Sequence, residues 1–285
     1  MAQIIDGNKL SEKLRAQIQS GVAELKKKHG VQPGLAVVLV GENEASKIYV
    51  RNKTKACEKV GIQSFQHTLP EDTEQDILAH LIEQLNHDPH VHGILVQLPL
   101  PKHLEGFDVT QAIDPKKDVD GFHPQNLGNL VTGRAGFLSC TPFGIMKMLE
   151  DIDYHLEGKS AVVIGRSNIV GKPMGLMLLA KNATVTYCHS KTKNIADRVK
   201  EADVVVAALG KAEFVKGEWI KHGAVVIDVG INRTKEGKLL GDVEFGKASS
   251  HAAYITPVPG GVGPMTITML MWNTLESAKK FAEMK

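Results

Sequence analysis

Cysteine is scarce in this sequence, and its scarcity argues against metal-bound and disulfide-bonded architectures. The 285 residues include three cysteines, Cys57, Cys140 and Cys188. Their odd number and wide spacing fit neither a zinc motif nor a disulfide framework. The histidines between positions 87 and 92 lie in a polar stretch that we interpret as a solvated loop. We therefore predict no bound metal, and we expect a reducing, cytoplasmic location.

Charge of one sign and long apolar runs are also lacking. The formal net charge is +2, from 34 basic and 32 acidic residues. This balance creates no strong field toward nucleic acid or a membrane surface. No run of about 18 apolar residues is present to span a bilayer. The first residues, Met1 to Asp6, have no basic or apolar region typical of a signal peptide. We expect neither a nucleic-acid nor a membrane partner.

The chain does contain an alternation of apolar runs and amphipathic segments. Hydrophobic residues make up 42% and charged residues 23%, and the length suffices for two domains. Uninterrupted apolar runs are typical of strands covered on both faces. The alternation predicts an α/β fold with parallel sheets. In the first half we predict helices over 9–28, 44–60 and 73–85, and strands over 34–40, 64–69 and 93–97.

The stretch from about residue 99 to 141 is rich in Pro, Gly and Asp and has little periodicity. We place the connection between two domains there. In the second half we predict a helix over 142–149, strands at 160, 183, 204 and 225, and a final helix over 265–284.

A glycine-containing turn between two predicted strands indicates a dinucleotide site. The apolar run Ser160–Ile164 is followed by Gly165-Arg-Ser-Asn-Ile-Val-Gly171, a helical segment and a second strand over 183–187. Backbone amides at the start of such a helix can hold a pyrophosphate. Because the spacing departs from Gly-x-Gly-x-x-Gly, a tight turn without a ligand is the alternative.

The end of the second strand bears on which dinucleotide would bind. An NAD site places a carboxylate there for the ribose 2′-hydroxyl. In this sequence the strand runs into Cys188-His-Ser-Lys-Thr192, and Arg166 lies within the glycine turn. Cationic and hydroxyl groups at these positions suit a 2′-phosphate. The sequence therefore predicts NADP.

Tyr49 and Lys53 are the clearest candidates for chemistry outside the glycine turn. They are four residues apart on a predicted helix, so both side chains leave the same face. A phenol beside an amine offers an aromatic surface and a group that transfers protons, although a solvated helix face is the alternative. Gln97 ends an otherwise apolar strand, near the edge where open α/β sheets bind ligands. An ordinary strand terminus is the alternative there.

Two loops carry further candidates. Asp118-Val-Asp120-Gly-Phe122 places two carboxylates in one loop, and a simple turn is the alternative because Asp-Gly favours turns. Pro259-Gly-Gly-Val-Gly-Pro264 allows close backbone approach and then opens a helix with proline in its first turn. A structural linker would have the same composition.

In combination and in this order, the segments resemble the bifunctional methylenetetrahydrofolate dehydrogenase/methenyltetrahydrofolate cyclohydrolase family. The resemblance runs from Ile4-Ile-Asp-Gly7 to the C-terminal helix. Its motifs are Tyr49-Val-x-x-Lys53, Gly93-Ile-Leu-Val-Gln-Leu-Pro-Leu-Pro101, Asp118-Val-Asp-Gly-Phe122 and Pro257-Val-Pro-Gly-Gly-Val-Gly-Pro-Met-Thr266.

The resemblance implies a role for each motif. Lys53 is expected to be the catalytic lysine, Gln97 its orienting partner, Asp120 the anchor of the pterin ring, and Tyr49 the residue that stacks on the aminobenzoyl ring; all four are expected catalytic residues. The implied folate-binding residues are Tyr49, Val50, Arg51, Asn52, Lys53, Val96, Gln97, Leu98, Asp120, Pro259, Gly260, Gly261, Val262 and Gly263. The implied NADP-binding residues are Gly165, Arg166, Ser167, Ser190 and Ile231.

The resemblance also implies an architecture and a reaction. It implies two α/β domains: a folate-binding catalytic domain of residues 1–141 plus 265–285, and a Rossmann-like NADP-binding domain of residues 142–264, with the active site in the cleft between them. The implied reactions are oxidation of 5,10-methylenetetrahydrofolate and hydrolysis of the methenyl product to 10-formyltetrahydrofolate. A homodimer pairing through the nucleotide domains and a place in one-carbon metabolism and purine biosynthesis are implied as well.

Three other functions compete with this interpretation. A short-chain dehydrogenase also combines Tyr-x-x-x-Lys with a nicotinamide site, but there the glycine turn precedes the pair, whereas here it follows. A shikimate-dehydrogenase-like oxidoreductase shares the domain order but leaves the motifs at 118–122 and 257–266 unexplained. A non-catalytic module that senses NADP or folate is the third alternative, and the combination of Lys53, Gln97 and Asp120 argues against it.

Overall fold

Strands and helices alternate along most of the chain, as the apolar pattern predicts. The computed structural model describes residues 1–234 and 236–283. In chain order its strands are β1 Gln3–Ile4, β2 Gly34–Val40, β3 Gln63–Leu69, β4 Gly93–Val96, β5 Ser160–Ile164, β6 Thr184–Cys188, β7 Val204–Ala207, β8 Val225–Asp228, β9 Asn232–Arg233, β10 Leu239–Leu240 and β11 Tyr254–Ile255.

Most predicted helices are present, with ends that differ by a few residues. The helices are α1 Gly7–His29, α2 Glu44–Val60, α3 Gln75–His87, α4 Val109–Ala112, α5 Pro124–Thr132, α6 Cys140–Asp151, α7 Gly171–Leu179, α8 Ile195–Glu201, α9 Phe245–His251 and α10 Val262–Glu283. The predicted final helix starts three residues too late, because Pro264 is tolerated in a first helical turn, where its missing N–H needs no partner. Positions 284 and 285, of which the prediction includes the first, lie outside the described residues.

The chain divides into two compact units. One consists of Met1–Glu12 with Ser139–Thr266, and the other of Lys13–Leu138 with Ile267–Lys285. We call them the six-stranded unit and the three-stranded unit after their main sheets. The predicted α/β class with parallel sheets is confirmed.

The three-stranded unit is built around β2. Its sheet has the order β3-β2-β4, and both pairs are parallel. All seven residues of β2 are buried, which explains the uninterrupted apolar run. Leu78, Ile82 and Leu85 recur at helical spacing on α3 and pack in the same core as alternate residues of β2.

The six-stranded unit contains a longer parallel sheet, in the order β1-β11-β8-β7-β5-β6. Its central strands β7 and β8 are buried along their whole length. β6 lies at one edge and β1 at the other. The loops that follow β5 and β7 lie at the carboxyl ends of their strands, which is where open α/β sheets bind ligands.

The first twelve residues differ from the predicted domain division, which groups them with residues 13–141. In the structure β1 pairs with β11, with Gln3 opposite Tyr254 and Ile4 opposite Ile255. The N–H of Ile5 continues the ladder by donating to the carbonyl of Ile255 at 2.9 Å. A strand of two residues has too little periodicity to be recognised, and its partner is about 250 residues away in sequence.

The connection between residues 99 and 141 also contains more structure than predicted. Helix α5 lies within it, with Pro124 in the first turn and His123 Nδ1 accepting from the N–H of Gln125. Gly133 ends the helix in a left-handed conformation. Proline at the start and glycine at the end are helix signals, but they enclose a helix too short to show a clear period.

Across the part of the chain that the structure covers, no helix is both long and apolar enough to cross a membrane.

Candidate active site

Lys53 and Gln97 form a direct hydrogen bond in the three-stranded unit. The amine Nζ of Lys53 donates to Oε1 of Gln97 at 3.1 Å. The Nε2 of Gln97 donates to the carbonyl of Leu98 at 2.7 Å, which leaves its oxygen for the lysine. The N–H of Gln97 donates to the carbonyl of Val38, so its backbone continues the pairing with β2. The glutamine thus holds the amine at the carboxyl end of the sheet.

Helix α2 positions Lys53. Asn43 caps its start by accepting the N–H of Ser46 at 3.0 Å, and Gly61 ends it in a left-handed conformation. Tyr49 lies one turn before Lys53 and is 43% exposed. Cys57 lies one turn after it and is buried, and burial raises the pKa of its thiol to about 12. A thiolate at this position is therefore excluded at neutral pH.

The neighbouring predicted substrate residues differ in exposure. Arg51, Asn52 and Leu98 are exposed, whereas Val50 and Val96 are buried. A buried valine can contact a ligand only through limited surface or its backbone, so these two side chains mainly pack the core.

The two aspartates of the 118–122 loop have different environments. Asp118 is buried, and its carboxylate accepts the N–H groups of Phe122 and His123 at 3.2 and 2.7 Å. It also accepts Nδ2 of Asn126 at 2.8 Å. Asp120 is only partly buried. Asp118 therefore closes the loop, and Asp120 is the more accessible of the two carboxylates.

Polar residues that the sequence patterns do not identify support this loop. Asn273 on α10 donates to the carbonyls of Val119 and Leu138 at 2.8 and 3.0 Å. Buried Lys117 donates to the carbonyls of Leu85 and Asp88, and burial lowers the pKa of its amine. In sequence such residues cannot be distinguished from solvated ones, because their partners are distant along the chain.

In the six-stranded unit, the turn after β5 packs closely on the loop after β7. Gly165 has a φ of 140°, and a Cβ there would lie 2.3 Å from the carbonyl oxygen of Ala208. Only glycine fits this approach. Ser167 Oγ accepts the N–H groups of Val170 and Gly171 at 3.2 and 3.3 Å, which orders the start of α7.

Four of the five predicted NADP-binding residues line one cavity of about 270 Å³. They are Gly165, Arg166, Ser167 and Ser190. Lys211 and His189 also face this cavity, and none of the described residues lining it is acidic. A close glycine turn, a helix start and a cationic lining fit a dinucleotide that carries an additional phosphate.

Ile231 lies elsewhere in the same unit. It is half exposed and lines a second cavity, of about 290 Å³, together with the loop from Pro257 to Pro264. The predicted folate residues Pro259, Gly260, Gly261, Val262 and Gly263 all line this second cavity. The carbonyl of Gly260 accepts the N–H of Asn8 at 3.2 Å, so the first residues of the chain support the loop.

Two buried carboxylates, Asp228 and Asp242, lie at the same end of the six-stranded sheet. The sequence patterns identify neither of them. Asp228 Oδ1 accepts the N–H groups of Gly230 and Asp242, and its Oδ2 accepts that of Val243. Burial, with the nearby Asp242 charge as a smaller cause, raises the pKa of Asp228 to about 6. No group of three or more metal-binding side chains occurs within residues 1–234 and 236–283.

Both units match domains of one known family. Residues 5–120 match the catalytic domain of tetrahydrofolate dehydrogenase/cyclohydrolase, and residues 139–282 match its NAD(P)-binding domain. The chain belongs to this family. The resemblance identified from the motifs is confirmed, and so are its bifunctional dehydrogenase/cyclohydrolase character and its nicotinamide cofactor.

Individual relatives of this family are similar along their whole length. The bifunctional protein FolD 2 of Geobacter metallireducens is 59% identical over 283 residues, which covers 99% of each chain. A FolD crystal structure from Campylobacter jejuni is 50% identical, with a TM-score of 0.96 and coverage of 98% of this chain and 99% of that one. The FolD structure from Trypanosoma brucei, complexed with NADP and an inhibitor, is 40% identical, with a TM-score of 0.94 and 98% coverage of both chains.

The similarity to shikimate dehydrogenases is limited to the fold. A shikimate dehydrogenase from Peptoclostridium difficile has 14% identity and a TM-score of 0.51. A similarity at this level shows a shared arrangement of elements and carries no information about the substrate.

Proposed function

We propose that this tetrahydrofolate dehydrogenase/cyclohydrolase oxidises 5,10-methylenetetrahydrofolate with NADP and then hydrolyses the methenyl product to 10-formyltetrahydrofolate. The observation that carries the proposal is the 3.1 Å hydrogen bond between Lys53 and Gln97, in the region that matches the family's catalytic domain. It pairs an amine that can transfer protons with an amide that orients it, at a sheet edge suited to ligands.

The first reaction requires positioning more than acid or base catalysis. The nitrogen lone pairs flanking the methylene bridge would push out a hydride, and oxidised NADP would supply the acceptor when bound. The residues of this chain need only hold the donor carbon in the orientation that allows hydride transfer. We assign the pterin anchor to Asp120, whose loop is fixed by Asp118 and Asn273. We assign stacking on the aminobenzoyl ring to exposed Tyr49.

The second reaction requires proton transfer. Water adds to the methenyl carbon and loses a proton, and ring opening then requires a proton at the departing nitrogen. We assign both transfers to the amine of Lys53. Gln97 occupies one hydrogen of that amine and limits its rotation. The direction of the other hydrogens of the amine is fixed by this contact, and we therefore call Gln97 an orienting partner.

The remaining binding residues are proposed from the same resemblance. Arg51, Asn52 and Leu98 would contact folate through side chains, and Val50 and Val96 through limited surface. We assign the loop 259–263 to folate as well. Gly165, Arg166, Ser167 and Ser190 would hold the NADP phosphates and adenosine ribose, and Ile231 would contact the cofactor from the second cavity.

The domain roles and assembly are also part of the proposal. Residues 1–141 plus 265–285 are expected from the resemblance to bind folate, and the pairing of β1 leads us to exclude residues 1–12 from that domain.

A homodimer is supported by the edge position of β6, where Tyr187 is 38% exposed and Leu179 of the adjacent α7 is 58% exposed. Light scattering that gave the mass of a monomer would contradict it. We further propose a cytoplasmic location and a role in supplying formyl groups for purine biosynthesis.

A spectrophotometric assay tests the proposed reactions. The purified protein is incubated with 5,10-methylenetetrahydrofolate and NADP, and NADPH, the methenyl intermediate and the formyl product are followed separately. We expect NADPH and 10-formyltetrahydrofolate to appear together. Binding of both ligands without turnover would instead support the sensing module. A parallel assay with NAD measures the cofactor preference.

A further inference from the structure

The buried carboxylate of Asp242 accepts several hydrogen bonds, and three of them come from one turn. The residue is fully buried. Its Oδ2 accepts the N–H groups of Leu209 and Gly210 at 2.7 and 2.9 Å. Its Oδ1 accepts the N–H of Lys211 at 2.8 Å and Nδ2 of Asn232 at 2.9 Å. Three successive backbone N–H groups around an anion form a stable nest.

This turn is a wall of the cavity that contains the predicted NADP-binding residues. Leu209 and Lys211 face the cavity beside Gly165 and Arg166. The preceding residue, Ala208, is the one whose carbonyl oxygen lies against Gly165. A shift of the 208–211 turn by a fraction of an ångström toward Gly165 would therefore displace the glycine turn or narrow the cavity.

The backbone of Asp242 is itself fixed to the sheet. Its N–H donates to Asp228 Oδ1 at 2.8 Å, and the N–H of Val243 donates to Asp228 Oδ2 at 2.9 Å. Asp228 ends strand β8, and its own N–H donates to Thr256 Oγ1 at 2.8 Å. The carboxylate of Asp242 thus connects the turn after β7 to a rigid part of the same sheet.

We infer that Asp242 is a positioning residue for NADP binding, acting through the 209–211 turn. Its carboxylate is used by these four donors, so it acts without touching the cofactor. Replacing the carboxylate leaves backbone N–H groups without an acceptor, and the turn must rearrange to find others. The inference rests on the proposed NADP site. It predicts a loss of cofactor affinity that spares the cyclohydrolase reaction, because hydrolysis of supplied methenyltetrahydrofolate consumes no cofactor.

The test compares Asp242→Asn with Asp203→Asn. Asp203 belongs to the same unit and accepts the N–H of Ser160, at the start of β5 and hence at the opposite end of that strand from Gly165. For both variants we would measure KM and Kd for NADP, kcat at saturating NADP, cyclohydrolase activity and melting temperature. For Asp242→Asn we expect KM and Kd for NADP to rise about tenfold or more, with cyclohydrolase activity near that of the unmodified protein. For Asp203→Asn we expect a lower melting temperature and an unchanged KM.

A second pair of variants keeps the test usable if Asp242→Asn folds poorly. Asn232→Ala removes the side-chain donor to Asp242, together with its weaker bond at 3.3 Å to the carbonyl of Leu240. We expect a rise of about threefold in KM for NADP. The combined Asp242→Asn and Asn232→Asp change exchanges the amide and the carboxylate and restores one hydrogen bond between them. It should recover part of the cofactor affinity lost in Asp242→Asn.

Two results would overturn the inference while leaving the proposed function intact. One is an unchanged KM for NADP in Asp242→Asn and Asn232→Ala when Arg166→Ala raises it. The other is a parallel loss of dehydrogenase and cyclohydrolase activity with unaltered Kd, which indicates general destabilisation. Failure of the unmodified protein to bind NADP would overturn both the inference and the proposed cofactor site.

Discussion

The two units form their candidate sites from different groups: side chains in one unit and mostly backbone in the other. In the three-stranded unit, the reactive arrangement is a contact between side chains, Lys53 with Gln97. In the six-stranded unit, the cavity is shaped mostly by backbone turns, at Gly165 and at 208–211. Side chains carry the proposed proton transfers, whereas backbone amides and a close glycine turn suit phosphates. A single side-chain substitution should therefore remove proton transfer in the three-stranded unit, whereas in the six-stranded unit it should change the shape of the cavity.

Both units use a buried aspartate to hold a loop. Asp118 accepts two backbone N–H groups of its own loop, and Asp242 accepts three from a turn about 30 residues earlier. In the first, the aspartate and its two backbone donors lie within five residues of one another, although Asn273 on α10 also supports that loop. The second depends on the whole sheet being assembled, so we expect the cofactor cavity to be more sensitive to distant changes.

The largest expected effect is on Lys53. Lys53→Met keeps much of the side-chain length and removes the amine. We expect cyclohydrolase activity to fall by about 10²–10⁴-fold, while measurable dehydrogenase activity remains and the methenyl compound accumulates. Methenyl absorbance during turnover, corrected for spontaneous hydrolysis, measures both effects. The control is Lys55→Met, an exposed lysine on the same helix. Near-normal enzymatic hydrolysis by Lys53→Met would remove this residue from the mechanism.

The next effect concerns Asp120 and separates binding from proton transfer. Asp120→Ala leaves pterin donors without their acceptor, so both reactions should weaken together with folate affinity, by about tenfold to a hundredfold. Calorimetric titration of a folate ligand measures the affinity. Asp72→Ala, at an exposed position of the same unit, is the control. An unchanged dissociation constant would show that Asp120 does not anchor the pterin.

A smaller effect is expected at Arg166, in the six-stranded unit. The guanidinium should favour a 2′-phosphate, but it is exposed, and solvent weakens the interaction. We expect NADP to be preferred over NAD and Arg166→Ala to reduce the ratio of kcat/KM values about tenfold. Lys200→Ala removes an exposed cation from the same unit as a control. Equal kcat/KM for both cofactors in the unmodified protein would refute the assignment.

The smallest effect tests whether the Lys53 contact depends on the start of its helix. Asn43→Ala removes the cap of α2 and should cost about 1 kcal/mol of stability, with little change in activity because the cap lies more than two turns from Lys53. Glu74→Ala is a matched control, since Glu74 occupies the same position on α3 without a side-chain capping bond. Thermal denaturation of both variants measures the difference. An equal melting temperature for the two would contradict a capping role for Asn43.

Much of the fold could be predicted from local patterns in the sequence. The apolar runs of β2, β4, β5, β7 and β8 and the helical spacing of α1, α2 and α3 identify elements that match the structure within a few residues. These patterns are visible because a strand covered on both faces and a helix covered on one impose a period on the residues themselves. The motifs likewise identified the family, and the glycine turn pointed to the cavity around Gly165.

The tertiary structure alone decided which distant residues meet. Lys53 and Gln97 are 44 residues apart, and only the pairing of β4 beside β2 brings the end of that strand to α2. The separation of Ile231 from the other predicted cofactor residues and the place of β1 in the six-stranded sheet have the same origin. Asp242 is an ordinary polar residue in sequence. Burial and its four donors exist only in the folded chain, because both arise from contacts that no local period records.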